Sequence, residues 1–167
     1  ILEGVTGTNG LIIPPDEYWP RMREICDKYG IVLISDEVMS GWGRTGEWFA
    51  VDNWNVTPDI ITTAKGITSG YVPLGAVIVR EHIAKYFDSH MLSAGLTYNG
   101  HALACATALA TIEVYEEEKI FENAKKVGAY LGEQLEELNK KHVSIGDVRY
   151  IGLFTAMELV KNCTTKE

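Results

Sequence analysis

Three short runs of mostly apolar and β-branched residues constrain the fold of this chain more than any other feature of its sequence. They are IVLIS at 31–35, DIITTA at 59–64 and GAVIV at 75–79. None of them alternates apolar with polar residues over its full length, which is typical of strands that are covered on both faces. Segments with helical periodicity lie before and after these runs, among them 16–29 and 120–141. This alternation predicts an α/β fold with a mainly parallel sheet.

The composition changes near residue 116, where a run of three glutamates ends an alanine-rich helical segment. The segment 120–141 that follows is expected to be an amphipathic helix, and a further strand is expected at FTAMELV, 154–160. The apolar face predicted for this helix consists of Phe121, Ala124, Val127, Leu131, Leu135 and Leu138. We therefore predict one α/β domain at 1–115 and the start of an α+β domain at 116–167.

Charge and composition exclude several classes of function. The 167 residues include 23 acidic and 15 basic side chains, and the resulting net charge of −8 argues against non-specific binding to nucleic acid or anionic membranes. The longest run of small apolar residues is too short to span a bilayer. Cys26, Cys105 and Cys163 form no CxxC pair, so we expect reduced thiols, no metal site and a cytoplasmic protein. The first residue is Ile1 rather than Met, from which we expect a fragment of a longer protein.

Two charged residues follow neighbouring strands of the predicted sheet. Asp36 comes directly after 31–35, and Lys65 comes directly after 59–64. Sites in open α/β sheets lie beyond the carboxyl ends of strands, so both side chains are expected to reach one crevice. A plain salt bridge is one interpretation. The other is a reactive amine, because small and apolar neighbours favour the neutral, nucleophilic form of a lysine, while a buried aspartate requires a cation or hydrogen-bond donors.

An apolar strand that ends in Asp-Glu is also typical of the Walker B element of P-loop ATPases. That interpretation requires a GxxxxGK[ST] motif upstream of the strand. The segment GVTGTNGLI at 4–12 contains the glycines but no Gly-Lys-Ser/Thr. The ATPase interpretation therefore fails within this chain.

Three ordered motifs resemble those of the class III pyridoxal-phosphate aminotransferases, the ω-amino-acid or taurine–pyruvate-like branch in particular. They are DEVMSGWGRTG at 36–46, TTAKGITSGYVPLGAVIV at 62–79 and GLTYNGHALACA at 95–106. The resemblance implies the aspartate-aminotransferase-like fold (fold type I), with 1–115 as the C-terminal part of the cofactor-binding large domain and 116–167 as the start of the small domain. It also implies transfer of an amino group from an ω-amino acid or amine to a keto acid such as pyruvate.

The resemblance assigns roles to four matched positions. Lys65 is the catalytic residue and forms a Schiff base with pyridoxal 5'-phosphate. Asp36 pairs with the protonated ring nitrogen of the cofactor, and Val38 packs on the face of the ring. Thr97 binds the phosphate of the cofactor in the neighbouring subunit of a homodimer, whose active sites lie at the subunit interface.

Five other positions carry secondary expectations. Glu37 is expected to accept hydrogen bonds from the backbone or the following loop, and Arg44 to pair with a carboxylate. Met39 stands where many family members carry a glutamine, and Thr8 stands where members that handle γ- or δ-amino acids often carry a glutamate. Both departures favour ω-amino donors with pyruvate-like acceptors. Tyr150 replaces a glycine that is usual in the family, so the following turn is expected to differ.

Two alternatives remain open within the resemblance. Related mutases, racemases and decarboxylases use the same cofactor and share Lys65 and Asp36. The family chain is also more than twice as long, and its phosphate cup, its ring-stacking aromatic residue and its later carboxylate-binding arginine are absent from this sequence. We therefore expect the isolated chain to bind the cofactor poorly and to be inactive, as a folded fragment.

Overall fold

The computed structural model describes residues 1–162 and 164–165, and it contains the predicted alternation of strands and helices. The elements are β1 (Leu2–Glu3), α1 (Tyr18–Tyr29), β2 (Ile34–Asp36), β3 (Ile60–Thr63), β4 (Ala76–Val79), α2 (Glu81–Tyr86), α3 (Ala102–Glu117), α4 (Ile120–Lys141), β5 (Ile145–Ile151) and β6 (Phe154–Leu159). Two short 3-10 turns, Ala50–Trp54 and Lys65–Thr68, lie after β2 and β3.

The main sheet has four strands in the order β1-β2-β3-β4. β1, β2 and β3 are parallel, whereas β4 runs antiparallel to β3. The connection at 64–75 turns back without a helical crossover, which a parallel pairing ordinarily needs. The predicted α/β class with a mainly parallel sheet is confirmed, with β4 as the antiparallel exception.

Helix α1 covers the sheet through a small apolar core. Trp19 and Cys26 on this helix are buried against Leu33, and Val51 and Val56 complete the cluster. The Trp19 indole N–H also donates a 2.9 Å hydrogen bond to the backbone carbonyl of Gly4, so the polar atom of this buried ring is satisfied.

Two cysteines are described, and both are free thiols. Cys26 is buried, as expected for a small apolar side chain in a core, whereas Cys105 is exposed on α3. Cys163 lies outside the described residues.

Helix α4 packs on the two-stranded antiparallel sheet formed by β5 and β6 with a face that matches the predicted one in part, since Ala124 is buried and Phe121, Leu131 and Leu135 are half-buried. Its buried residues are Ala124, Gly128 and Gly132, while Val127 and Leu138 are each 40% exposed. The glycines are needed because the neighbouring sheet comes too close for a side chain. A Cβ atom at Gly128 would lie 2.2 Å from the carbonyl oxygen of Gly152, and one at Gly132 would lie 2.1 Å from the Tyr150 ring.

Within residues 1–162 and 164–165, none of the helices has both the length and the apolar character that crossing a membrane requires.

Candidate functional site

The end of β2 places two neighbouring carboxylates in different surroundings. Asp36 is the last residue of the strand and is half-buried. Its Oδ1 accepts a 3.0 Å hydrogen bond from the backbone N–H of Val38. Its Oδ2 accepts no hydrogen bond from the part of the chain that the structure describes. One oxygen of the Asp36 carboxylate is therefore available to a binding partner outside the turn formed by residues 36–38.

Glu37 is fully buried and accepts hydrogen bonds from the strand and from the loop that follows it. Its two carboxylate oxygens accept hydrogen bonds from the Ser40 hydroxyl at 2.6 Å, the Ala50 amide at 2.9 Å, and the Val51 amide and Ser35 hydroxyl at 3.1 Å each. Burial raises the pKa of the Glu37 carboxyl, and the four donors oppose that rise. The expectation that Glu37 hydrogen-bonds to the backbone and the loop is confirmed.

Lys65 begins the 3-10 turn after β3 and has a left-handed backbone, with φ at +46°. Such a conformation is uncommon for a residue other than glycine. Hydrogen bonds hold the residues on both sides of it. The Trp42 indole N–H donates to the Thr63 hydroxyl at 2.6 Å, and the Tyr115 hydroxyl donates to the Gly66 carbonyl at 2.7 Å.

A cavity of about 380 Å³ brings Lys65 and Val38 together. The residues around it are Val38, Met39, Gly41, Trp42, Arg44, Lys65, Gly66, Ser69, Gly70 and Tyr115. Arg44 is exposed at this cavity, and the expected pairing of Arg44 with a carboxylate is not found within residues 1–162 and 164–165. The backbone of Arg44 connects this loop to the β5–β6 turn, because the Arg44 carbonyl accepts a 3.0 Å hydrogen bond from the amide of Leu153.

A second cavity, of about 570 Å³, is also lined by Val38. Its lining comprises Val38, Thr62, Thr63, Pro73, Leu74, Gly75, Ala76, Val77, Leu96, Tyr98, Asn99 and Gly100. The Thr62 hydroxyl is buried and has no hydrogen-bond partner among the residues that the structure describes. Thr97 is exposed and is not among the lining residues, although both of its chain neighbours are.

The structure therefore brings three of the four predicted site residues to one edge of the sheet. Asp36 ends β2, Val38 follows it, Lys65 follows β3, and Val38 borders both cavities. Thr97 lies in the turn at 97–100 before α3 and lines neither cavity. Lys65 and Val38 thus border one cavity with an amine-bearing and an apolar side chain, whereas Asp36 lies at the same edge of the sheet but lines neither cavity.

Two residues of the site were missed in the sequence. Tyr115 carries no local signal, because its contact with Gly66 joins positions 49 residues apart. Thr62 could have been found from strand register, because in a parallel pair it comes to lie opposite Asp36. Among residues 1–162 and 164–165, no group of three or more His, Cys, Asp or Glu side chains is arranged to hold a metal ion.

The chain matches the family model described as aminotransferase class-III over residues 1–167. It is 45% identical to a putrescine–pyruvate aminotransferase of Pseudomonas aeruginosa, and the match covers 100% of this chain and 37% of that protein. It is 44% identical to a taurine–pyruvate aminotransferase of Bilophila wadsworthia, with coverage of 100% and 38%. The chain thus spans less than two fifths of the length of these relatives.

Solved structures show the same similarity. A taurine:2-oxoglutarate aminotransferase from Bifidobacterium kashiwanohense, solved in complex with PLP and glutamate, superposes with a TM-score of 0.96 at 49% identity, covering 100% of this chain and 38% of that one. An amine transaminase from an uncultivated Pseudomonas species, in its PLP-bound form, gives a TM-score of 0.94 at 46% identity, covering 99% and 39%.

Proposed function

This chain belongs to the class III aminotransferase family, and we propose that the protein of which it is a part transfers an amino group from an ω-amino acid or amine to a keto acid such as pyruvate, with pyridoxal 5'-phosphate as cofactor. The observation that carries the proposal is the meeting of Lys65 and Val38 at one cavity, beyond the ends of β3 and β2. The amine-directed and taurine-directed relatives support the substrate class.

The residues at this edge of the sheet fit the proposed cofactor. Asp36 presents a carboxylate oxygen without a hydrogen-bond partner in the described chain, which suits a protonated ring nitrogen. Val38 offers an apolar side chain between two cavities, which suits the face of a ring. The buried Thr62 hydroxyl has no hydrogen-bond partner within the described part of the chain, and a polar ligand atom within reach would satisfy it.

The bound cofactor supplies an electron sink for the carbanion that forms when the substrate loses a proton. The chain's own residues supply the remaining parts. Lys65 would hold the cofactor through its amine and, once displaced by the substrate amine, accept and return a proton at Nζ as general base and acid. Asp36 would keep the ring nitrogen protonated, and Val38 would fix the plane of the ring.

The assembly and location belong to the same proposal. Thr97 would contact the cofactor phosphate of a neighbouring subunit in a homodimer, and its exposed position before α3 supports a role outside its own subunit. The region 1–115 would belong to the large domain and 116–167 to the small domain. The full-length protein would act in the cytoplasm.

The decisive experiment uses the product of the complete open reading frame. We expect added pyridoxal 5'-phosphate to give a visible absorbance band, and we expect pyruvate to accept the amino group of putrescine or taurine. Lys65→Ala should abolish both. Lys85→Ala is the matched control, because Lys85 lies on the surface in an ion pair with Glu81 and away from the cavities.

Each result distinguishes the alternatives. Band formation without amino transfer to any keto acid would favour a related mutase, racemase or decarboxylase. A protein with neither a lysine-dependent band nor transfer would contradict the proposal. The chain 1–167 alone should show little of the band, because it spans less than two fifths of the relatives' length.

A further inference from the structure

The backbone of Lys65 adopts a conformation that its surroundings must impose. Its φ of +46° lies in the left-handed region. Non-glycine residues keep such conformations only where neighbouring contacts over-determine them, and these contacts often lie at functional sites. The direction of the Lys65 side chain therefore depends on what holds the residues next to it.

One of these contacts comes from a distant helix. The Tyr115 hydroxyl donates a 2.7 Å hydrogen bond to the carbonyl oxygen of Gly66, the residue directly after Lys65. The same carbonyl accepts a 3.0 Å hydrogen bond from the Ser69 amide, which closes the 3-10 turn. Tyr115 therefore supports the turn from outside, at the peptide unit adjoining Lys65.

Tyr115 is itself fixed by aromatic packing. Its ring lies 6.3 Å from the Trp42 ring and 5.5 Å from the Phe121 ring, measured between centroids. Trp42 also packs closely against the turn, because a Cβ atom at Gly66 would lie 2.5 Å from the Trp42 Cβ. Gly66 therefore has a close neighbour in Trp42 and a hydrogen-bond donor in Tyr115.

We propose that Tyr115 is a positioning residue for Lys65, acting through the hydrogen bond of its hydroxyl to the Gly66 carbonyl. This inference rests on the proposed function of Lys65. A lysine amine lies at the end of a four-carbon stem, so a small rotation of the backbone displaces Nζ considerably. A 1 Å misplacement of a reacting group can cost about 100-fold in rate.

The test compares Tyr115→Phe with the wild-type protein from the complete open reading frame. We expect kcat to fall about 10- to 100-fold with little change in KM, because the substrate still binds but meets a displaced amine. Tyr130→Phe is the matched control, since Tyr130 is 63% exposed on α4 and its hydroxyl makes no hydrogen bond within the described residues. It should keep the wild-type kcat.

A second readout needs no bound cofactor. Hydrogen exchange in the cofactor-free protein should become about fivefold faster in a peptide spanning residues 65–71 of Tyr115→Phe, as expected for loss of one neutral hydrogen bond. It should remain unchanged in Tyr130→Phe. Faster exchange at 65–71 together with the loss of kcat supports the positioning role.

Other outcomes overturn the inference. Wild-type kcat in Tyr115→Phe contradicts it, and so does a loss of kcat without a change in exchange at 65–71, because Tyr115 would then act by another route. An equal loss of kcat in Tyr130→Phe contradicts it as well. A wild-type protein without a lysine-dependent absorbance band would instead refute the proposed function, and this inference with it.

Discussion

Asp36 and Thr62 lie directly opposite each other in the parallel pair of β2 and β3. Directly paired residues point to the same face of a sheet, so the Asp36 carboxylate and the Thr62 hydroxyl lie on one face. This buried hydroxyl has no hydrogen-bond partner in the part of the chain that is described. Lys65 follows Thr62 by three residues, at the edge where both strands end. The register between β2 and β3 thus determines which polar side chains a molecule bound at this edge of the sheet would contact.

The first prediction concerns the charge of Asp36. In the full-length protein, Asp36→Asn should lower kcat by about 100- to 1,000-fold, because a neutral amide cannot hold the ring nitrogen protonated and a few kcal/mol of transition-state stabilisation are lost. The asparagine oxygen can still accept the Val38 amide bond, so the melting temperature should change little. Asp88→Asn, at an exposed position, is the control for kinetics and melting. Activity within threefold of wild type would exclude the assigned role of Asp36.

The second prediction concerns the buried carboxylate of Glu37. Each of its oxygens accepts one hydroxyl and one backbone amide, so the NH2 group of a glutamine would face an amide donor in either orientation. Glu37→Gln should reduce the free energy of unfolding by about 2–3 kcal/mol, measured by urea denaturation. Glu133→Gln on the exposed face of α4 should leave it within about 0.5 kcal/mol. Equal stability of the two variants would show that the four donors do not require a carboxylate.

The third prediction concerns pH. Burial tends to raise the pKa of the Asp59 carboxyl, but the Leu33 amide and Arg23, each 2.8 Å away, together with the charge of His82, lower it below its ordinary 3.8. Because the folded-state pKa is the lower one, the stabilisation is complete above pH 3.8 and is lost as the pH falls through the folded-state value. Wild type should therefore be more stable than Asp59→Asn at about pH 5, with a smaller difference near pH 3. Arg80 lies 3.8 Å from Asp59 and keeps its charge throughout this range.

Urea denaturation of both proteins at the two pH values measures this difference. Asp59 precedes β3 and Lys65 follows it, so the variant tests the opposite end of the strand from the candidate site. A difference that stayed constant down to pH 3 would show that Asp59 does not titrate in the folded protein with a lowered pKa.

The fourth prediction concerns the close packing of α4 on β5. Alanine ordinarily favours a helix over glycine by about 1 kcal/mol, yet Gly132→Ala should destabilise the protein by about 1–3 kcal/mol, because the new methyl group would overlap the Tyr150 ring. In the Tyr150→Ala background the same change should instead be neutral or stabilising. Thermal denaturation of the four proteins of this double-mutant cycle provides the measurement. A Gly132→Ala effect that is the same in both backgrounds would contradict the proposed overlap.

Tyr150 shows which features of the α4–β5 packing the sequence indicates and which it does not. Its departure from the usual glycine was visible in the sequence and suggested a change in the following turn. Its packing partner, Gly132, was not visible, because nothing in a helical pattern distinguishes a glycine that admits a neighbouring ring from one that merely weakens the helix. The predicted apolar face of α4 is wrong at Val127 and Leu138 for the same reason, since the closest packing of this helix occurs at its two glycines.

By itself, the sequence determined the order of strands and helices, the parallel character of the sheet, the family, and the candidate residues at the strand ends. These properties follow from residue periodicity and from motifs in which neighbouring positions carry the information. Only the tertiary structure decided that Thr62 lies beside Asp36, that Tyr115 donates a hydrogen bond to the carbonyl of the residue after Lys65, and that Arg44 lines a cavity. Such contacts join residues far apart in the chain, and their geometry depends on strand register and on the approach of packed helices, which local patterns do not encode.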